Sequence, residues 1–175
     1  AVMVGVNTVI ADAPRLPARD DSGEPLGRQP LRVVVDSRGR TPAEARLLSG
    51  PGRTVAAVAG ADAPAADRLS DTGAEVERVE GSDGRVDLAE LLSRLALGRE
   101  ITSLLVEGGG TLLGSLFDQR LVDKVVAFVA PAVIGGRDAP APVGGTGVQR
   151  AADAFRLQRV EVLHLGGDVA MIGYL

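Results

Sequence analysis

The side chains able to bind or transform a ligand fall in a few short stretches. The densest is Leu104-Leu105-Val106-Glu107-Gly108-Gly109-Gly110-Thr111-Leu112-Leu113-Gly114-Ser115. An apolar strand pattern meets three glycines there, and a helical pattern follows at once. Glycines let a phosphate approach the backbone, and a helix start offers unpaired N–H groups and the positive end of its dipole. The spacing is not the G-x-G-x-x-G fingerprint, because Leu113 stands where the last glycine would be, and no Gly-Lys-Ser/Thr follows. A tight strand-to-helix turn accounts for the same residues equally well. Glu107 ends the strand, at the rim where open α/β sheets bind ligands. Its carboxylate could accept hydrogen bonds from a heterocycle or a ribose, or face solvent as an ordinary loop Glu.

A second stretch runs from Gly5 to Arg19. Thr8 and Asp12 are four apart and would share a face of a helical turn. Asp12 leads into a Pro-containing loop carrying Arg15 and Arg19, whose forks suit phosphate but which read more simply as solvated charges. Third, Asp36-Ser37-Arg38-Gly39-Arg40 ends another strand with a hydroxyl and two Arg, suited to a ribose phosphate or to a polar turn. His164 lies on an alternating C-terminal strand and reads as structural or surface. Gly144-Gly145-Thr146-Gly147 could touch a ligand but reads more simply as a flexible loop.

Composition narrows the chemistry. The 175 residues hold no Cys and one His, which excludes a disulfide framework, a Cys-based zinc site and any metal site needing two histidines. Catalysis must then run on carboxylates, hydroxyls, Arg, backbone amides or a borrowed cofactor. The net charge of −4 and pI near 5.1 argue against a nucleic-acid partner. The 19 basic residues are all Arg except Lys124, a genome-composition signature that carries no functional conclusion. No apolar run reaches the ~18 residues of a membrane helix, and no signal-peptide pattern is seen, so no membrane partner and a cytoplasmic location are expected. With three Phe, one Tyr and no Trp, the core must be built from Ala, Val and Leu.

The elements that would position these residues follow from periodicity. Buried strands are predicted at 1–5, 31–36 and 54–59, a half-exposed edge strand at 74–79, and further strands at 103–106 and 125–131. Helices are predicted over 62–72 with Gly73 as C-cap, over 88–97 capped by Asp87 and ended by Gly98, and over 111–119. Short helical turns are expected through Ala11 and at 43–48. Long loops fall at 12–29, 37–52 and 134–147. The last strands, 156–165 and 168–175, alternate around Gly166-Gly167 as a hairpin. Alternating strands and helices, then consecutive strands, imply one domain with a mostly parallel α/β sheet and antiparallel strands at its C-terminal end. The chain opens inside a strand, so an upstream strand and helix are expected to be missing from it.

Taken together, the stretches AVMVGVNTVIADAPRL with Arg19, PLRVVVDSRGR, SLLVEGGGTLLGSLFDQRLVDKVVAFVAPAVIGG and the closing strand pair resemble one family. It is the reductase domain of the bifunctional riboflavin-biosynthesis deaminase/reductase, with its stand-alone relatives. The segments stand in the family's order and cover most of the chain. The resemblance implies a three-layer dihydrofolate-reductase-like fold. It also implies NADPH-dependent reduction of the ribosyl group of 5-amino-6-(5-phosphoribosylamino)uracil to a ribityl group, by hydride delivery to C1′ of the opened sugar. Thr8 and Asp12 then match contacts to the nicotinamide nucleotide, and Ser37 a contact at its adenosine end. Gly109, Gly110, Thr111, Leu112, Leu113, Gly114 and Ser115 match the cradle for its phosphates. Leu16, Arg19 and Glu107 match substrate contacts. Arg38 is added to a 2′-phosphate site from its own position beside Ser37. The proton donor stays open between water and a carboxyl such as Glu107. Asp12-Ala13-Pro14 departs from the family's Asp-Asp-Pro, and the zinc deaminase ligands are absent, so no deaminase activity is expected of these residues. Rival readings are a same-fold reductase of another pyrimidine or pteridine, and a non-catalytic nucleotide-binding module. A homodimer is expected from the apolar, Val-rich strands.

Overall fold

The computed structural model describes residues 1–59, 63–136 and 139–175. Strands β1 (Val2–Gly5), β2 (Arg32–Val35), β3 (Thr54–Val58), β4 (Glu75–Arg78) and β5 (Leu105–Val106) form a parallel sheet in the order β4-β3-β2-β1-β5. The first three are near-continuous apolar runs, as strands covered on both faces must be. Their alternate residues feed two cores. Met3, Val33 and Ala57 pack against α3 (Leu88–Arg99) and α4 (Gly110–Asp118) through Leu91, Leu95, Leu112 and Leu116. Val4 and Val34 turn the other way onto Val6 and Val9 of α1 (Val6–Asp12) and onto Leu47. Ala56 and Val58 meet Ala66 and Leu69 of α2 (Ala63–Asp71) on that side. Helices, sheet and helices make the three layers expected.

The antiparallel strands correct one expectation. β6 (Lys124–Val129), β7 (Gln158–Leu165) and β8 (Asp168–Tyr174) do not extend the parallel sheet but form a sheet of their own, in the order β6-β8-β7. The Gly166-Gly167 hairpin is present, with Leu165 paired to Asp168, and β8 becomes the central strand by also pairing with β6. Periodicity shows that a strand exists, not which strand it pairs with. Apolar side chains of this sheet stay open: Phe128 is 70% exposed, and Val126, Val160 and Val162 are exposed too.

Helix boundaries differ at one informative place. Asp87 caps α3 as predicted, accepting the Glu90 N–H at 3.0 Å. The helix runs through Gly98, however, and Glu100 takes the left-handed C-cap conformation at φ 55°. At 43–48 there are turns rather than helix. Asp62, the predicted start of α2, lies outside the described residues.

β4 is one of the two edge strands of the parallel sheet, and it is protected by charge, which discourages edge-to-edge pairing. Glu75 receives Arg53 and Arg99, and Glu77 receives Arg99 and Arg94, with Arg94 also on Glu90. Hydrogen bonds from Arg53 and Arg99 hold the Glu75 carboxyl down to about 2 from an ordinary 4.5. Burial pulls Glu77 upward, but the bonds from Arg99 and Arg94 outweigh it and its value is lowered. A depressed folded value means stability that is present above the unfolded value and lost as pH falls through the folded one. Thermal melts from pH 6 down to 2 should therefore show a falling Tm below about pH 4.5, and Glu75→Gln should flatten that fall by a few degrees. An identical acid limb in Glu75→Gln would show that the ladder contributes nothing, as exposed pairs sometimes do.

Candidate nucleotide-binding cleft

A cleft of about 730 Å³ opens at the carboxyl rim of β1 and β2, where Gly5 and Val35 end their strands. Three structural features converge on it. The first is the start of α4. Gly109 is its N-cap at φ 83° and has no side-chain cap hydrogen bond, so no side chain competes for the first-turn N–H groups. A Cβ built on Gly109 would stand 3.1 Å from Thr8 Oγ1, so the Thr8 hydroxyl lies directly beside this backbone.

The second feature is the turn after β2. Ser37, Arg38 and Arg40 face the cleft, and Arg40 Nη2 donates to Asn7 Oδ1 at 2.8 Å across its mouth. The third is the loop 81–88, which forms the far wall. Ser37 Oγ accepts the Val86 N–H at 3.1 Å and ties that wall to the β2 rim. An accepting hydroxyl retains its own proton for donation to a ligand.

Thr8, Ser37, Arg38, Gly109, Thr111, Leu112 and Ser115 of the predicted site thus line one cleft. Gly110, Leu113, Gly114 and Asp12 do not line it. Gly110 and Gly114 instead form a groove on α4 for the backbone of Gly144 and Gly145. The Gly144 N–H donates to Gly110 O at 2.8 Å, and Asp118 accepts the N–H groups of Thr146 at 2.7 Å and Gly147 at 3.1 Å. Those two N–H donors, Thr146 first, lower the Asp118 value. The segment expected to be a flexible loop is therefore strapped to the helix.

The three predicted substrate contacts stand apart from this cleft. Leu16, at φ 54°, packs beside the α1 core. Arg19 donates to Gly23 O at 2.6 Å within its own loop. Glu107 is exposed at the end of β5 and holds the sheet through its N–H to Met3 O. The cleft also uses residues outside the predicted set. Arg40 sat within a stretch already singled out. Asn7 lies within the Gly5–Arg19 stretch. In loop 81–88, the visible signal was Gly81 and Gly84 after an edge strand; a Cβ on Gly81 would meet Arg85 O at 2.6 Å.

Parallel sheet, rim cleft and uncapped helix start define an α/β domain of the class that takes its ligand at the strands' carboxyl ends. The chain belongs to the RibD C-terminal domain family, whose model matches residues 1–171. It is 43% identical over 169 residues to the 2,5-diamino-6-ribosylamino-4(3H)-pyrimidinone 5′-phosphate reductase of Methanothermobacter thermautotrophicus, covering 97% of this chain and 76% of that protein. It is 36% identical over 173 residues to the riboflavin biosynthesis protein RibD of Actinobacillus pleuropneumoniae, covering 98% of this chain and 45% of that one. Among solved structures it superposes on Acinetobacter baumannii RibD with a TM-score of 0.81 at 27% identity, over 99% of this chain and 46% of that chain. The chain thus spans about three quarters of the archaeal reductase and less than half of the RibD proteins. Among the described residues no helix is long and apolar enough to cross a membrane, and no His/Cys/Asp/Glu group could hold a metal.

Proposed function

We propose that this chain performs the NADPH-dependent reduction of the ribosyl group of a phosphoribosylamino-pyrimidine to the ribityl group. The carrying observation is the convergence of Gly109, Thr8, Ser37, Arg38 and Arg40 on one cleft. These residues fit a dinucleotide: the Gly109 position holds backbone that a Cβ would obstruct, beside free helix-start N–H groups. When bound, the nicotinamide supplies the hydride, which no side chain here can provide. In this reading Thr8, Gly109, Thr111, Leu112 and Ser115 hold the diphosphate side, with Gly110, Leu113 and Gly114 supporting the same helix start. Ser37 takes the adenosine ribose, Arg38 and Arg40 a 2′-phosphate, and Asp12 the nicotinamide end. Leu16, Arg19 and Glu107 hold the substrate, Arg19 at its phosphate after release from Gly23 and Glu107 at the pyrimidine. A homodimer and a cytoplasmic location belong to the same proposal, and the open apolar faces of the β6-β8-β7 sheet support the first.

The archaeal relative's name favours a second reading of the substrate, the 2,5-diamino compound in place of the deaminated uracil. Titration of the full-length protein with NADPH tests the cofactor assignment. Saturable binding is expected, and its absence would favour a non-catalytic module. Parallel turnover with the diamino and uracil substrates then separates the two substrate readings.

A further inference from the structure

We infer that Asp36, which lies outside the cleft, is a positioning residue that sets the turn carrying Arg38 and Arg40, and so sets selectivity for a phosphorylated over an unphosphorylated nucleotide ribose. The inference rests on the dinucleotide reading above. Asp36 is 0% exposed. Its Oδ2 accepts both the N–H of Thr41, at 2.6 Å, and the Thr41 hydroxyl, at 2.7 Å. Its Oδ1 is buried with no hydrogen-bond partner among the described residues. A buried carboxyl with one oxygen unmet is costly, and an apolar side chain would serve the core better. What the group does instead is geometric: it joins the two ends of the 36–41 turn.

The rest of the turn is seated on every side by other elements. The Gly39 N–H donates to Asp36 O at 3.1 Å, and Ala59 N–H to Ser37 O at 3.3 Å. Arg68 of α2 donates to Gly39 O at 3.3 Å. Gly39, at φ 64°, lies so close to Ala65 that a Cβ would come within 2.4 Å of the Ala65 Cβ. With the backbone fixed, the only exposed parts of the turn are the side chains of Arg38 and Arg40. Neither makes an ion pair among the described residues, and Arg40 is steered by Asn7. Two guanidinium forks issuing from one rigid turn match a phosphate monoester, for which fixed geometry matters as much as charge.

Thr41→Val tests this in the full-length protein, because it removes one donor to Asp36 without touching the cleft. The expected result is a rise of about tenfold in KM for NADPH, the scale of one hydrogen bond to a charged group. The kcat should hold, KM for NADH should not move, and Thr41→Ser should restore the NADPH value. Binding of 2′,5′-ADP should weaken in parallel and binding of 5′-AMP should not. Arg40→Met, on the exposed surface, should show the same selectivity loss directly. If Thr41→Val does not fold, Thr41→Ala admits water in place of the hydroxyl and should give the same split at smaller size. Equal changes with both cofactors, or none with either, would overturn the inference while leaving the dinucleotide reading intact. A wild-type protein that binds neither cofactor would remove both.

Discussion

Gly109→Ala should lower affinity for a nicotinamide dinucleotide by about ten- to a hundredfold while lowering Tm only slightly. Gly109 sits at φ 83° and ψ 89°, outside the regions comfortable for an L-residue, which costs on the order of 1–3 kcal/mol to impose. The new Cβ would also lie 3.1 Å from Thr8 Oγ1, so either the hydroxyl or the helix start must give way. Both sit where, in the proposed function, a diphosphate would come closest to the backbone. The protein can relieve the strain by rotating the 108–110 turn, which preserves the core but misdirects the first-turn N–H groups. Titration with NADPH alongside a thermal melt separates the two effects. Unchanged affinity with unchanged stability would show that the turn is a connection only.

Gly114→Val should be the most destabilising single change on α4. A Cβ there would come 2.2 Å from Gly144 C and 2.4 Å from Gly145 N, and these are backbone atoms that cannot swing aside. The strap must lift, giving up the Gly144 bond to Gly110 and the two bonds to Asp118. Overpacking of this kind costs about 1–3 kcal/mol, or roughly 3–10 °C in Tm for a chain of this size. Hydrogen exchange should show residues 141–147 losing protection. Gly98→Ala is the contrasting control. Nothing lies within 4 Å of a Cβ at Gly98, inside the last turn of α3, so the change should be neutral or slightly stabilising. Equal effects of the two substitutions would refute the packing account of Gly114.

Both glycines show how far the sequence could be read. β1, β2 and β3 were visible because strands buried on both faces leave unbroken apolar runs. α3 was visible because its leucines recur at helical spacing behind an Asp cap, and the Gly166-Gly167 hairpin because turn chemistry is local. The role of Gly114 was legible only as part of a phosphate cradle, since its partner lies 30 residues away and leaves no mark on the helix pattern. The same holds for Gly144, read as a flexible loop, and for the separation of β6 from the parallel sheet. Glu100 replaced Gly98 as the helix end, taking the left-handed conformation the glycine was expected to supply. At the site, Ser37, Arg38 and Gly109 were legible from their place after strands. Loop 81–88 was not, because the hydrogen bond from Val86 to Ser37 that ties it to the β2 rim spans 49 residues of sequence. Asp36 fell at the end of the predicted buried strand, but nothing local announced that its carboxylate would close the turn onto Thr41.

The scarcity of His, and the absence of Cys, fit a domain whose redox group is borrowed. In the proposed function, the chain's own work would be to fix phosphates at a helix start and an arginine turn. That account is tested most directly by following NADPH oxidation by the full-length protein with 5-amino-6-(5-phosphoribosylamino)uracil and with its diamino counterpart. The predicted result is turnover of at least one of them, with the ribityl compound as product. No turnover of either, together with oxidation of NADPH by dihydrofolate, would contradict it.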